Sequence, residues 1–222
     1  MRSRKPGAPE LLAPAGDREK LEMALHYGAD AVYLAGRQYG LRAFAGNFDR
    51  EGLQEAVQMS HAQGAAVHVT VNVLPHESEL PKLPEYLEFL QDAGADGLIV
   101  ADLGVMALAR QYAPSVPLHV STQFGVINSG TARMLFDMGA KRVVLARELS
   151  LDEISRIRDE TPPELEIETF VHGAMCVSFS GRCLLSNYLA GRERDSNRGN
   201  CAQPCRWSYT LTEEKRPDFG SL

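Results

Sequence analysis

The first 175 residues of this 222-residue chain contain no cysteine, and tryptophan occurs once in the whole sequence. Long apolar runs are absent as well, because no stretch reaches the roughly 18 consecutive apolar residues that suggest a membrane-spanning helix. The first six residues lead into a short strand-like segment and not into the apolar region of a signal peptide. We therefore expect a cytoplasmic protein that has no membrane partner.

An overall excess of positive charge is also missing. Lys and Arg number 23 against 29 Asp and Glu, and the net charge of −6 argues against a uniformly basic surface for nucleic acid. Residues 176–222 nevertheless carry seven basic and five acidic side chains, whereas residues 1–175 carry 16 and 24. With 44% apolar residues the chain can bury a sizeable core, which excludes a disordered protein.

A short phrase recurs four times along the chain, at Gly28, Gly64, Gly94 and Gly139. Each time a helix-like stretch ends at Gly-Ala, and a short aliphatic run follows. Glycine suits the left-handed position that ends a helix, and an apolar run without alternation suits a strand that is buried on both faces. Each phrase therefore predicts a junction between a helix and a strand.

Helix starts are predicted at Asp17, Asp49 and Ser150, because these residue types cap helix N-termini. In all, six helices are predicted to alternate with seven strands. Such alternation indicates parallel strands, either in a doubly wound sheet or in a (β/α)8 barrel. The predicted strands span residues 10–13, 31–34, 66–73, 97–100, 118–121, 142–145 and 166–171.

Two features favour the α/β class with a TIM-like (β/α)8 barrel over the doubly wound sheet. The sequence has no GxGxxG phosphate turn, and polar residues follow successive strands. A closed barrel needs eight strands, so we expect an incomplete barrel of seven over residues 1–175, followed by a cysteine-rich segment, residues 176–222. We also expect the chain to be the N-terminal portion of a longer protein.

In such a barrel the residues after the strands converge at the C-terminal mouth, where these folds place their chemistry. Arg42 and Arg147 are candidates to clamp an anionic small molecule, because guanidinium groups bind carboxylates through two hydrogen bonds. Asn72 and Gln123 would bind the substrate at the same mouth. The alternative for Arg147 is a simple ion pair with Glu148.

The candidate catalytic residues are His172, Glu168 and Asp102. Asp102 also suits a helix cap, and His172 suits a hydrogen-bonded position at a strand end. His172 with Cys176 could serve a protease, but the chain has neither HExxH nor GxSxG, and a catalytic thiol usually needs a third group that orients its base.

All four cysteines lie in the cysteine-rich segment. A disulfide framework is not expected, because the chain has no export signal and its first 175 residues can fold by burial. The spacing C-x6-C-x17-C-x3-C matches neither a zinc ribbon nor a ferredoxin, so it leaves zinc and iron-sulfur open. The candidate metal ligands are Cys176, Cys183, Cys201 and Cys205.

The same segment is rich in arginine and has two aromatic residues close by. Arginine contacts to phosphate, with aromatic stacking on an unpaired base, are typical of proteins that bind single-stranded loops of RNA. The alternative is a solvated charged loop with Trp207 in the core. The candidate RNA-binding residues are Arg182, Arg194, Arg198, Arg206 and Trp207, with Arg192 and Tyr209 nearby.

The stretch from Glu168 to Ser186, with Asp195 to Tyr209, resembles the signature of the U32 peptidase family, the collagenase-like proteases. Residues 10–17 and 28–34 resemble the start of the same family. The resemblance implies a barrel whose four cysteines hold an iron-sulfur cluster of the [4Fe-4S] type. Some relatives take the fourth ligand from further downstream, so either Cys201 or Cys205 could be a non-ligand.

Within this family the chain looks closest to the branch that hydroxylates a tRNA uridine. The resemblance then implies 5-hydroxylation of a wobble uridine, with prephenate as co-substrate and tRNA as partner. Ribosomal RNA, or a protein substrate cleaved by a peptidase, is the alternative. A third possibility is a non-catalytic, cluster-dependent partner of a second U32 family protein.

Overall fold

In sequence order, seven parallel strands form one sheet in the computed structural model, which describes residues 7–41, 46–173 and 175–210. Seven helices of at least six residues accompany them within these ranges. The strands are β1 Leu12–Pro14, β2 Ala31–Ala35, β3 Ala66–Val71, β4 Gly97–Val100, β5 Leu118–Val120, β6 Ala140–Val144 and β7 Glu166–Glu168. The helices are α1 Arg18–His26, α2 Arg50–Ala62, α3 Leu83–Asp92, α4 Leu103–Tyr112, α5 Ser129–Asp137, α6 Leu151–Asp159 and α7 Leu185–Ala190.

The helix boundaries confirm the predicted caps and turns. Asp17 accepts a hydrogen bond from the Lys20 amide, and Asp49 accepts one from the Gly52 amide. The Ser150 side chain and Glu153 form a complete capping box at the start of α6. The four recurrent glycines all have left-handed backbone, with φ of 89°, 76°, 84° and 100°, so each phrase is the predicted helix–strand junction.

Alternate residues of each strand face different surroundings. On β3, Val67, Val69 and Val71 pack into the main apolar core between the sheet and the helices. Between them, His68 and Thr70 are buried on the opposite face of the sheet and take no part in that core. On β3 the inner face is therefore polar, while the outer face buries the apolar surface that stabilises the fold.

The sheet curls, because residues at its two edges meet. The Arg142 guanidinium on β6 lies 2.7 Å from the carboxylate of Glu10, which lies two residues before the start of β1. The same guanidinium contacts Glu166 at 2.7 Å and Glu168 at 3.2 Å, both on β7. The structure thus confirms the predicted incomplete TIM-like barrel with seven strands.

Four strands end earlier than predicted, at Val71, Val120, Val144 and Glu168. After three of them, at Val71, Val120 and Glu168, polar residues leave the sheet to form loops. Asn72 accepts a backbone hydrogen bond from Leu41, and Ser121 begins a short 3₁₀ turn. An apolar pattern therefore overestimates strand length where polar loop residues continue the run.

Candidate active site

The carboxyl ends of β3 and β5 bring two predicted substrate-binding residues together. The Asn72 side-chain amide donates to the Gln123 side-chain oxygen over 3.1 Å, and the Ser121 hydroxyl donates to that oxygen over 3.2 Å. The Asn72 oxygen accepts from the Leu41 amide at 3.3 Å. The parallel register of the strands thus creates a polar amide pair at the mouth.

Arg147, after β6, is the third predicted substrate-binding residue that the structure describes. Its Nη2 donates to the Ser178 carbonyl over 3.2 Å. Its Nε is buried and has no hydrogen-bond partner among the described residues. A buried donor without a partner is rare, and it suits the oxygen of a bound anion. Arg42 lies outside the described residues, so the two-arginine clamp stays a prediction.

The three candidate catalytic residues lie in different environments. The Asp102 carboxylate accepts a hydrogen bond from the Val105 backbone N–H at 3.0 Å and caps α4. This agrees with the alternative role of Asp102 as a helix cap. Glu168 faces the inside of the barrel beside Arg142, and burial raises its pKa although Arg142 opposes the effect. His172 is exposed. No hydrogen bond joins His172 to Cys176 in the part of the chain that the structure describes.

A buried histidine pair inside the barrel escaped the sequence analysis. The rings of His68 on β3 and His119 on β5 lie 4.5 Å apart at 87°. Burial first, and then the neighbouring imidazole, lower the pKa of His119 to about 2; burial and Arg142 lower the pKa of His68. Both rings are therefore neutral at physiological pH. The sequence holds a signal for them, the alternation of valine with His68 and Thr70 along β3.

The four cysteines are free thiols. Cys176 and Cys205 are exposed, whereas Cys183 and Cys201 are half-buried. The Cys183 sulfur accepts the Leu185 backbone N–H, and the Cys201 sulfur accepts the Gln203 backbone N–H, both at 3.3 Å.

This donor set fits an iron-sulfur cluster chemically, since free thiols with backbone donors are the ligands that such clusters use. Across residues 7–41, 46–173 and 175–210, however, no three His, Cys, Asp or Glu side chains converge on one metal position. The four cysteines therefore supply the right type of ligand, and their convergence on a metal stays a prediction.

Three predicted RNA-binding arginines are bound within the protein. Arg198 pairs with both carboxylate oxygens of Glu79 at 2.7 and 2.9 Å. Arg182 donates to the Gln123 carbonyl over 2.7 Å, and Arg194 donates to the Asn200 carbonyl over 3.0 Å. Through these contacts the three arginines hold loops of the protein together. Their contact with RNA stays a prediction.

Arg206 and Trp207 are exposed and lie at the far end of the described part of the cysteine-rich segment. The Trp207 side chain is 47% exposed and stacks on Tyr209, with ring centroids 6.5 Å apart. This exposure contradicts the alternative in which Trp207 belongs to the core. Within the described part of this segment, the exposed residues that can contact a base or phosphate therefore include Arg192, Arg206, Trp207 and Tyr209.

None of the helices within the described ranges has the length and apolar character needed to span a membrane.

Comparison with known proteins assigns the chain to one family. The model of peptidase family U32 matches residues 16–221. Over 203 residues, 91% of this chain, the sequence is 47% identical to tRNA hydroxylation protein P1 of Bacillus subtilis. It is 43% identical over 96% of this chain to tRNA hydroxylation protein P of Escherichia coli, and 40% identical over 93% to the 23S rRNA 5-hydroxycytidine C2501 synthase of that organism.

These alignments cover 47%, 47% and 30% of the three relatives, so the chain spans about half the length of the tRNA hydroxylation proteins. Among solved structures, that of the U32 peptidase Mk0906 superposes with a TM-score of 0.62 at 20% identity. The superposition covers 76% of this chain and 71% of that one. At this identity the likeness supports the fold alone.

Proposed function

This chain belongs to peptidase family U32, and from that membership we propose that it acts in RNA modification, as an enzyme that hydroxylates a uridine of tRNA. The observation that carries the proposal is the similarity, over at least 91% of the chain, to proteins named for tRNA hydroxylation. The relative named for 23S rRNA makes ribosomal RNA the second candidate substrate. The proposal places the protein in the cytoplasm, with the RNA.

The geometry of the mouth supports a small anionic co-substrate, which we propose to be prephenate. The unpartnered Nε of Arg147 would bind one carboxylate, and the Asn72–Gln123 amide pair would orient the polar groups beside it. RNA would approach over the exposed Arg206, Trp207 and Tyr209, which offer a phosphate contact and stacking surfaces. Glu168 and His172 are the proposed catalytic residues, Glu168 because burial favours its protonated form.

We further propose that Cys176, Cys183, Cys201 and Cys205 hold an iron-sulfur cluster of the [4Fe-4S] type, with zinc as the alternative. When bound, the cluster would supply a redox or ligand-binding centre next to the mouth. The free thiols and their backbone N–H donors support this role. Anaerobic reconstitution, read by absorbance and bound iron, tests it; uptake of zinc without cluster formation would contradict it.

The reaction is tested by mass spectrometry of nucleosides from bulk tRNA and rRNA of a strain that lacks this gene. We expect loss of 5-hydroxyuridine-type nucleosides from tRNA, and their return on complementation. Loss of a hydroxylated nucleoside from rRNA alone would identify rRNA as the substrate. Unchanged nucleosides, together with cleavage of gelatin by the purified protein, would favour the peptidase alternative.

The third possibility, a non-catalytic partner, is tested with a second U32 family protein. If the purified chain modifies tRNA only when that protein is added, and replacement of His172 and Glu168 by alanine leaves the joint activity unchanged, the chain is the partner and not the catalyst. Loss of activity in these variants supports catalysis by this chain.

A further inference from the structure

Two glutamates at the barrel mouth hold the cysteine-rich segment, one in each half. We propose that Glu148 and Glu79 are positioning residues: Glu148 fixes residues 176–183 over the mouth, and Glu79 fixes residues 198–205. The inference rests on the proposed role of the cysteines as cluster ligands, and it deepens that role by identifying what holds each pair of sulfurs in place.

The Glu148 clamp is the contact of Glu148 with Ser180, which lies between Cys176 and Cys183. The Ser180 amide donates to one carboxylate oxygen over 2.8 Å, and the Ser180 hydroxyl donates to the other over 3.1 Å. Ser180 is fully buried and has left-handed backbone, with φ 44° and ψ 27°, which is uncommon for a residue with a Cβ. The carboxylate therefore holds a turn that the local sequence does not favour.

The charge of Glu148 suits this role. Burial acts to raise its pKa, but the hydrogen bonds from Ser180 and the backbone outweigh burial, so the pKa is lowered. The carboxylate is therefore ionised at neutral pH and accepts both hydrogen bonds strongly.

Neighbouring contacts fasten the same half to two loops of the barrel. Arg147 donates to the Ser178 carbonyl over 3.2 Å. In the opposite direction, Arg182 donates to the Gln123 and Phe124 carbonyls over 2.7 and 3.3 Å. The first cysteine pair thus lies on a stretch that is bound to the loops after β5 and β6.

The Glu79 clamp is the ion pair of Glu79 with Arg198, three residues before Cys201. Both carboxylate oxygens are used, at 2.7 and 2.9 Å, and Arg198 also donates to the Leu74 carbonyl over 3.1 Å. The next residue, Gly199, has φ 86° and packs so closely that a Cβ would lie 2.7 Å from the Leu41 carbonyl carbon. The second cysteine pair is therefore seated on the loops after β2 and β3.

Residues between these two stretches link them to each other. The Ser196 hydroxyl donates a hydrogen bond to the Cys183 carbonyl, and the Asn197 side-chain amide donates to the same carbonyl over 3.3 Å. The Ala202 amide donates to the Ser186 hydroxyl over 2.8 Å. The clamps thus hold one connected segment at two points on the barrel, although each clamp is local to its own cysteine pair.

The test compares Glu148→Ala, Glu79→Ala and the control Glu77→Ala. Glu77 is exposed, lies in the same loop as Glu79, and makes no side-chain hydrogen bond or ion pair among the described residues. The first readout is residue-resolved alkylation of the thiols in the metal-free chain. We expect several-fold faster alkylation of Cys183 in Glu148→Ala and of Cys201 in Glu79→Ala, with no change in Glu77→Ala.

The second readout is bound iron and the EPR spectrum of the reduced protein after anaerobic reconstitution. Both clamp variants should lose most of their bound iron or show an altered spectrum, and Glu148→Gln, which keeps one acceptor oxygen, should retain more iron than Glu148→Ala. The charge-reversed pair Glu79→Arg with Arg198→Glu should recover the iron that either single change loses.

Circular dichroism verifies that each variant is folded before the readouts are compared. Alkylation rates and spectra equal to those of the wild type in both clamp variants would overturn the proposal. If the wild type takes up no cluster while the clamp variants still expose their thiols, the proposed cofactor fails and the positioning role stands.

Discussion

His119 fits inside the barrel only because the neighbouring strand has a glycine beside it. A Cβ on Gly97 would lie 2.6 Å from the His119 ring carbon Cε1, and 3.0 Å from its Nδ1. The ring also contacts His68, so it cannot move freely away from an added methyl group. The barrel interior around His119 is therefore packed closely enough for one methyl group to matter.

Gly97→Ala should lower the free energy of unfolding by about 1–3 kcal/mol, the usual cost of overpacking a buried site. Urea denaturation measures the loss. The double variant Gly97→Ala with His119→Ala should lose less than the sum of the two single variants, because removal of the ring leaves room for the methyl group. Strict additivity would contradict the proposed clash.

The half-buried carboxyl of Glu168 is expected to make a pH-dependent contribution to stability. Burial raises its pKa in the folded state, so its contribution is fully present below the pKa of the unfolded chain and is lost as pH rises through the folded value. Glu168→Gln removes this dependence. The free energy of unfolding of the variant, relative to wild type, should therefore increase from acid to neutral pH. Glu164→Gln, at an exposed position, is the matched control variant for the Glu-to-Gln change.

Among the elements, α6 depends most visibly on its cap. Only Ile157 of α6 is fully buried, and Ile154 packs against the core from a partly exposed position. The Ser150–Glu153 capping box satisfies backbone donors that would otherwise lack partners at the first turn. A helix with so little burial relies more on its end than a helix such as α3, which buries four side chains.

Ser150→Ala should destabilise the protein by about 1 kcal/mol, the typical value for loss of an N-cap. Ser150→Thr keeps the hydroxyl and should cost less. Hydrogen exchange of residues 151–159 locates the effect: protection should fall in α6 of Ser150→Ala and remain unchanged in α3. A uniform loss over both helices would contradict a local cap effect.

In the whole molecule, the described part of the cysteine-rich segment packs on the loops at the barrel mouth, and several of its arginines make the contacts. Arg182, Arg194 and Arg198 are bound to carbonyls or to Glu79. Arg206 and the Trp207–Tyr209 stack remain exposed. Binding of RNA and attachment of the segment are therefore expected to depend on different arginines.

Arg206→Ala and Trp207→Ala should weaken binding to a tRNA anticodon stem-loop without lowering the melting temperature. Each lost phosphate contact reduces the slope of log K against log salt by about 1, so Arg206→Ala should lower this slope and Trp207→Ala should not. Fluorescence anisotropy over a range of salt concentrations measures both. Arg198→Ala should instead lower thermal stability, and an equal loss of affinity in all three variants would contradict this division.

Local sequence rules were sufficient for much of this fold. The cap residues and the glycines after α1, α2, α3 and α5 act through hydrogen bonds and backbone conformations within a few residues, so their effects can be deduced without tertiary contacts. The aliphatic runs mark strands that are buried against helices, and every parallel strand of this fold is buried in this way. These local preferences are enough to predict the seven strands, their order along the chain and the TIM-like architecture.

The site required contacts between residues far apart in the chain. The register of β3 and β5 brings Asn72 to Gln123, 51 residues away, and the curl of the sheet brings Arg142 to Glu10, 132 residues away. No local preference distinguishes an arginine that binds RNA from one that pairs with Glu79, because both are basic residues in a polar loop. The arginines and cysteines were evident in the sequence, but which carboxylates and carbonyls hold them depends on how the barrel brings its loops together.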